Sequence, residues 1–305
     1  MRNASIYFSK TFNLIWQQFI ESGALILPRT QRDYFTNVCS ICDFLKKDFL
    51  DISYKDAQYY FDHISQTQQL KVSSLNAKLA SLRSISTYIL KNIDKDKYDI
   101  DSNFTNVFSR VIITAQDNYI KKDSIPTPKE LQIILESASS NDMLFLILSL
   151  IIKCSLTVSQ VCNLKPSQIA TDAAERGFII FSNGPKTRFV KLPTDVMELL
   201  ISYTNSYGVN NFLFYNKHNK PLRPRTLETL FQSYLSKSGI QKSFTLQDIR
   251  NASIVYMLKG GASQSAVADY IGVSNRWMFR FNQVIDELDN APCDYLNINI
   301  KKSSD

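Results

Sequence analysis

Residues 244–284 read FTLQDIRNASIVYMLKGGASQSAVADYIGVSNRWMFRFNQV. The punctuation of this run predicts three short helices, broken at Gly260-Gly261 and at Gly272-Val273-Ser274. Thr245, Ser263 and Ser274 stand where N-caps belong, and Gly260 and Gly272 where helices end. Arg276 and Arg280 are four residues apart, a spacing that predicts one shared helical face. Phe281 falls on an apolar stripe with Trp277, Val284 and Leu288, which marks it as a packing residue.

The chain has 305 residues, 44% of them hydrophobic and 12% aromatic, enough for two domains with separate cores. Its formal charge of +7 is unevenly placed. Between Lys186 and Arg250 ten Lys/Arg face four acids (Asp195, Glu198, Glu228, Asp248). That local excess suits a polyanionic partner. No stretch approaches the roughly 20 apolar residues of a membrane span, and the N-terminus lacks an export signal, so a cytoplasmic protein with no membrane partner is expected. Five cysteines fit a reducing compartment. Cys39 and Cys42 form a C-x-x-C inside a helical pattern, with no second pair and only His63 and His218 elsewhere, and they read as buried thiols. No metal and no cofactor is expected.

In chain order, residues 1–93 read as a four-helix domain. The helices cover about 7–21, a second opened by Pro28 and Thr30 with Tyr34, Val38, Ile41 and Leu45 on one stripe, then about 55–65 and 73–91. In the last of these Leu75, Leu79, Leu82, Ile85 and Ile89 point inward, while Lys71, Lys78 and Arg83 stay outside or near its start. Residues 94–125, with alternating Asp and Lys at 94–97 and prolines nearby, read as a linker that would let two lobes close around a duplex. A second domain, 126–290, opens with Thr127-Pro128-Lys129-Glu130, a helix start. A continuous apolar helix, 143–152, follows. Short β-branched runs around Asn183-Gly184-Pro185 predict a hairpin. Further on, a helix beginning beside Arg223 and Arg225 combines orphan N–H donors with two guanidinium forks, a good phosphate site. His218 is a turn residue. The tail, 291–305, alternates briefly at 296–300 and ends in polar residues.

The spacing of 244–284 resembles the last catalytic segment of tyrosine recombinases, the phage integrase family. There the pattern is His-x-x-Arg, a Gly-His pair, then a nucleophilic tyrosine. Gln247 stands at the first histidine position, Arg250 at the arginine, Val273 at the second histidine and Phe281, or Asn282 beside it, at the tyrosine. Upstream, residues 154–164 resemble the family's T-G-L-R-x-S-E-L-x-x-L, with Thr157 at the arginine and Gln160 at the glutamate. The hairpin resembles its G-K-G-x-K-x-R element: Asn183 falls at the general-acid lysine, and Lys186 and Arg188 remain as phosphate contacts. A one-position slip would instead offer Lys186 as the acid. The four N-terminal helices look like the family's core-binding domain.

The resemblance implies a mainly α fold with a small β-hairpin or sheet (α+β): a four-helix core-binding domain followed by a catalytic-type domain. It implies double-stranded DNA as partner, at the nucleoid, through Lys186, Arg188, Arg223, Arg225, Arg276 and Arg280. A second copy or an active recombinase would be reached through the tail. With Thr157, Asn183, Gln247, Val273 and Phe281 replacing five of six catalytic roles, it implies a pseudoenzyme that regulates or assists recombination or integration. Arg250 is left with two readings, a retained phosphate clamp or a structural arginine paired with an acid. Three alternatives to the nucleophile stay open, Tyr256, Tyr270 and Tyr295, and with them an active recombinase. A protein-interaction scaffold that has abandoned DNA is the third possibility.

Overall fold

The computed structural model describes residues 4–25, 27–68, 70, 72–113, 119–183, 186–208 and 210–287. Among them no helix is long and apolar enough to cross a membrane. The chain forms two compact units, residues 1–118 and 119–305.

The first unit is built from α1 (Lys10–Glu21), α2 (Pro28–Leu45), α3 (Tyr54–Thr67) and α4 (Val72–Asn92). Their starts follow local chemistry. Ser9 accepts from the Phe12 N–H, Pro28 occupies the first turn of α2, and Ser53 and Asp56 form a reciprocal capping box. Lys47 reinforces that box, its ammonium 2.9 Å from Asp56. Phe12, Ile15, Val38, Ile41, Phe61, Leu79, Leu82 and Ile85 fill the core. Cys39 and Cys42 are buried free thiols, and burial pushes the Cys42 thiol far up, away from the reactive thiolate.

The stretch expected as a linker, 94–125, does not behave as one strap. Ile100, Phe108 and Val111 belong to the core of the first unit. The charge-alternating run folds because Asp94 accepts from the backbone N–H groups of Asp96 and Lys97, while the Lys95 ammonium donates to the carbonyls of Ser102 and Phe104. Arg83, expected to stay outside, turns onto this segment: Nε donates to the Phe108 carbonyl (2.8 Å) and Nη2 to that of Val111 (3.2 Å). Residues 119–125 go to the second unit, where Ile120 and Ile125 are core residues and the Ile120 N–H donates to the Arg280 carbonyl.

The second unit packs helices around α6 (Asp142–Cys154), which is buried from Leu144 through Ile152. Such a helix cannot show amphipathic periodicity, because it has no wet face. Around it stand α5 (Pro128–Ser137), α7 (Val158–Cys162), α8 (Thr194–Tyr207), α9 (Pro224–Leu235), α10 (Leu246–Lys259), α11 (Gln264–Ile271) and α12 (Asn282–Glu287). On one side lies an antiparallel sheet, β1 (Ile169–Thr171), β2 (Gly177–Asn183) and β3 (Lys186–Lys191), in the order β1-β2-β3. The sequence announced the β2–β3 pair. It did not announce β1, too short to carry an alternation.

Of the three predicted C-terminal caps, two form. Thr245 and Asp248 make a capping box, and Ser263 accepts from the Ala266 N–H. Ser274 makes no such bond, because the segment after it, Asn275–Phe281, is 3₁₀. Gly272 ends α11 with φ 74°, whereas at the other break the left-handed residue is Gly261 (φ 92°) rather than Gly260.

Arg83→Ala leaves the Val111 carbonyl without a donor and the Phe108 carbonyl with only the Val111 N–H, so it is expected to destabilise the first unit by about 1.5–3 kcal/mol. Hydrogen exchange should rise across 107–111 and stay unchanged in α10.

Candidate functional site

Several of the residues singled out from the sequence lie on α7, α10 and β3 or at the ends of α6 and α11. At the end of α6, Ser155 adopts left-handed backbone (φ 51°, ψ 32°) to cap the helix, a conformation that costs a non-glycine residue about 1 kcal/mol or more. Two contacts hold it. Its hydroxyl hydrogen-bonds the Ser253 hydroxyl, and its carbonyl accepts from Arg250 Nε at 2.8 Å.

Arg250 is 5% exposed, on a helix whose faces are buried from Ile249 to Tyr256. Burial, with the nearby charge of Arg188 as a second cause, pulls its pKa down to about 10, so it remains protonated at neutral pH. No carboxylate pairs with it among the described residues. Asp248 is committed to Thr245 in the α10 cap, so the acid-paired reading of this arginine finds no partner among the described residues. The Trp277 ring lies 5.9 Å from its guanidinium, and that of Arg280 is 5.0 Å from the same ring.

Thr157 and Gln160, where the resemblance expects an arginine and a glutamate, make a reciprocal cap at the start of α7. Thr157 Oγ1 accepts from the Gln160 N–H at 3.1 Å, and Gln160 Oε1 from the Thr157 N–H at 2.9 Å. Gln247 is exposed and donates along its own helix to Asn251. Val273 is half-buried, its N–H closing α11 on the Ala268 carbonyl. Asn183 and Lys186 face each other as the last backbone pair of the β2–β3 ladder. Phe281 is fully buried, with its ring 5.3 Å from that of Trp277. Val284 is buried beside it, and Leu288 lies outside the described residues.

The other tyrosines have structural work. Tyr256 is buried and its hydroxyl donates to the Pro126 carbonyl at 2.7 Å. Tyr270 donates to the Lys191 carbonyl at 3.0 Å, and burial, with the adjacent Cys154 thiol, pushes its phenol well above the usual range. Tyr295 and the tail, 291–305, lie outside the described residues.

Arg276 and Arg280 do not share a face. In a 3₁₀ helix of three residues per turn a four-residue spacing leaves them about a third of a turn apart. Arg276 is exposed and Arg280 half-buried against Trp277. Arg188 is also turned inward. On β3 it lies in register with Phe181, whose ring is 4.8 Å from its guanidinium, and its Nη1 donates to the Tyr270 carbonyl at 3.3 Å. By contrast Lys217, Lys220, Arg223 and Arg225 are all exposed. The turn ahead of α9 is fixed by Asn216, whose side chain accepts from the His218 and Lys220 N–H groups, and by a bridge from Tyr215 to Pro221. Among the described residues no group of His, Cys, Asp or Glu is arranged to hold a metal ion.

The phage integrase family profile matches residues 127–280, half of the chain and most of this second unit. The chain belongs to the phage integrase family. It is 27% identical over 240 residues to a tyrosine recombinase of Pseudothermotoga lettingae, covering 77% of this chain and 79% of that protein. It is 31% identical over 107 residues to the tyrosine recombinase XerD of Staphylococcus haemolyticus, over 32% of this chain and 36% of that one. Its fold is that of the Tn1549 transposon integrase in complex with a circular intermediate DNA (TM-score 0.64, 14% identity, 89% of this chain and 94% of that one). It is likewise that of a lambda integrase tetramer bound to a Holliday junction (TM-score 0.61, 16% identity, 88% and 76%).

Because Phe281 is enclosed, restoring a tyrosine there buries a hydroxyl. Phe281→Tyr is expected to cost about 1–3 kcal/mol in denaturant unfolding and to yield no covalent protein–DNA adduct on a denaturing gel.

Proposed function

We propose that this chain binds double-stranded DNA without cutting it, and acts at the nucleoid in the cytoplasm as a site-binding regulator or accessory factor in recombination or integration. The observation that carries this reading is the contrast between two neighbourhoods of the second unit. Of the two residues the resemblance puts at the nucleophile position, Phe281 is sealed in the core and Asn282 is an exposed amide that accepts from Gln264, while Lys217, Lys220, Arg223 and Arg225 stand exposed on one turn and the helix start it feeds.

Strand cleavage by this family needs a tyrosine oxygen to attack phosphorus and cationic donors to hold the charge that develops. Removing a single such donor commonly costs about 100- to 1,000-fold in rate. Here Thr157, at the first arginine position, caps α7, and of the two residues at the nucleophile position Phe281 packs the core and Asn282 carries only an amide, which cannot attack phosphorus. DNA binding asks less. An exposed arginine pair at the start of a 12-residue helix adds guanidinium forks to free backbone N–H groups, and neither Arg223 nor Arg225 has an acidic partner among the described residues. The four-helix unit is assigned to DNA binding beside it, as the core-binding lobe. The tail is assigned to contact with a second copy or with an active recombinase.

Binding to a mixed-sequence duplex is expected to weaken steeply with salt. Arg223→Ala with Arg225→Ala should weaken it at every sequence and flatten the log–log salt slope by about 2, one for each phosphate that is no longer neutralised. Binding that is absent, or insensitive to salt, would point to a protein-interaction scaffold instead.

A further inference from the structure

We propose that the exposed rings of Tyr119 and Phe279 form a stacking platform for unpaired bases, so that the second unit favours DNA carrying a single-stranded gap over an unbroken duplex. The inference deepens the DNA-binding reading and rests on it for DNA as the partner.

Two distant pieces of chain assemble the platform. Ile120 is buried in the core, and its N–H donates to the Arg280 carbonyl at 3.0 Å. That bond lays Tyr119 alongside Phe279. The two rings meet edge to face, with centroids 6.0 Å apart and planes at 79°. Both remain in water, Tyr119 38% and Phe279 45% exposed. Met278 and Phe281, from the same 3₁₀ segment, are fully buried, so the turn that sends them into the core leaves Phe279 facing out. Single exposed apolar side chains are ordinary. Here two rings, one from the start of the unit and one from near its end, are held together on the surface.

Charge selects the occupant. Residues three apart eclipse in a 3₁₀ helix, which sets the exposed Arg276 on the same face as Phe279. Lys121, one residue past the buried Ile120, is exposed as Tyr119 is. In the described segments 119–125 and 275–285 the charged residues are Lys121, Lys122, Arg276 and Arg280 against one acid, Asp123. An apolar partner would cover the rings and leave these cations unmatched. A nucleotide answers both, because its base has a π-face and its phosphate a negative charge within one unit of length. In a duplex the bases cover one another's faces, so the ones that can stack on a side chain are those that have left the pair.

The test measures binding of the full chain to two fluorescein-labelled DNA probes by anisotropy. Each is a duplex with a short gap, bridged in one by thymidines and in the other by abasic sugars. Phosphates and flexibility are shared, and the probes differ in the bases alone. The thymidine probe is expected to bind at least about fivefold more tightly. Phe279→Ala should remove that difference while changing the affinity for the abasic probe by less than about twofold. Phe279→Trp, which keeps a ring, should preserve it. Arg223→Ala with Arg225→Ala should weaken both probes and leave their ratio intact. If Phe279→Ala fails to fold by circular dichroism, Tyr119→Ala carries the test. Equal binding of the two probes by the unaltered chain, or an unchanged ratio in the folded alanine variant, overturns the platform. Salt-sensitive binding to an unbroken duplex that survives such a failure leaves the DNA-binding reading standing. A thymidine preference without duplex binding keeps the platform and overturns the duplex reading.

Discussion

A guanidinium buried inside an otherwise apolar helix interface is the constraint around which the second unit is arranged. Withdrawing a cation from water is expensive unless its donors are used. Arg250 answers that demand by reaching from α10 to one of the carbonyls left unpaired at the end of α6, that of Ser155. The bond fixes Ser155 in left-handed backbone and thereby directs the chain into Leu156, buried in the core, and Thr157, the cap of α7.

The residues that the family resemblance sets at catalytic positions serve caps, helix bracing and core packing in this structure. Thr157 and Gln160 satisfy each other's backbone donors, an exchange that an arginine and a glutamate would not make in the same form. Gln247 braces its own helix, and Phe281 with Trp277 closes the core beneath the 3₁₀ segment. Even the tyrosines within the described part of this unit that could be recruited are spoken for, Tyr256 by Pro126 and Tyr270 by Lys191.

Much of the architecture was legible in the sequence, for physical reasons. Caps at Thr127, Thr245 and Ser263 are local signals, and each forms the bond its side chain predicts. The four N-terminal helices carry clear stripes because each has one wet face. What was hidden depended on contacts far along the chain. Nothing near Arg83 announces Phe108 and Val111, and the polar run 94–97 looks unstructured until Asp94 and Lys95 are seen to hold a turn. The four-residue spacing of Arg276 and Arg280 implied one face only under α-helical geometry, which the 3₁₀ backbone does not have. The inward turn of Arg188 had a signal that was missed: it shares strand parity with buried Val190. The burial of Phe281, read from its apolar stripe, needed no such help.

Whether any hydroxyl of this chain attacks a DNA phosphodiester is the decisive question. Duplexes selected from a random pool by binding to the full protein can be nicked near the centre of the bound site, so that a cleaved strand cannot be religated. Incubation followed by denaturing electrophoresis and mass spectrometry is predicted to show tight, salt-sensitive binding and no protein covalently joined to DNA. A phosphotyrosyl peptide, at Tyr295 or at any other tyrosine, would contradict it.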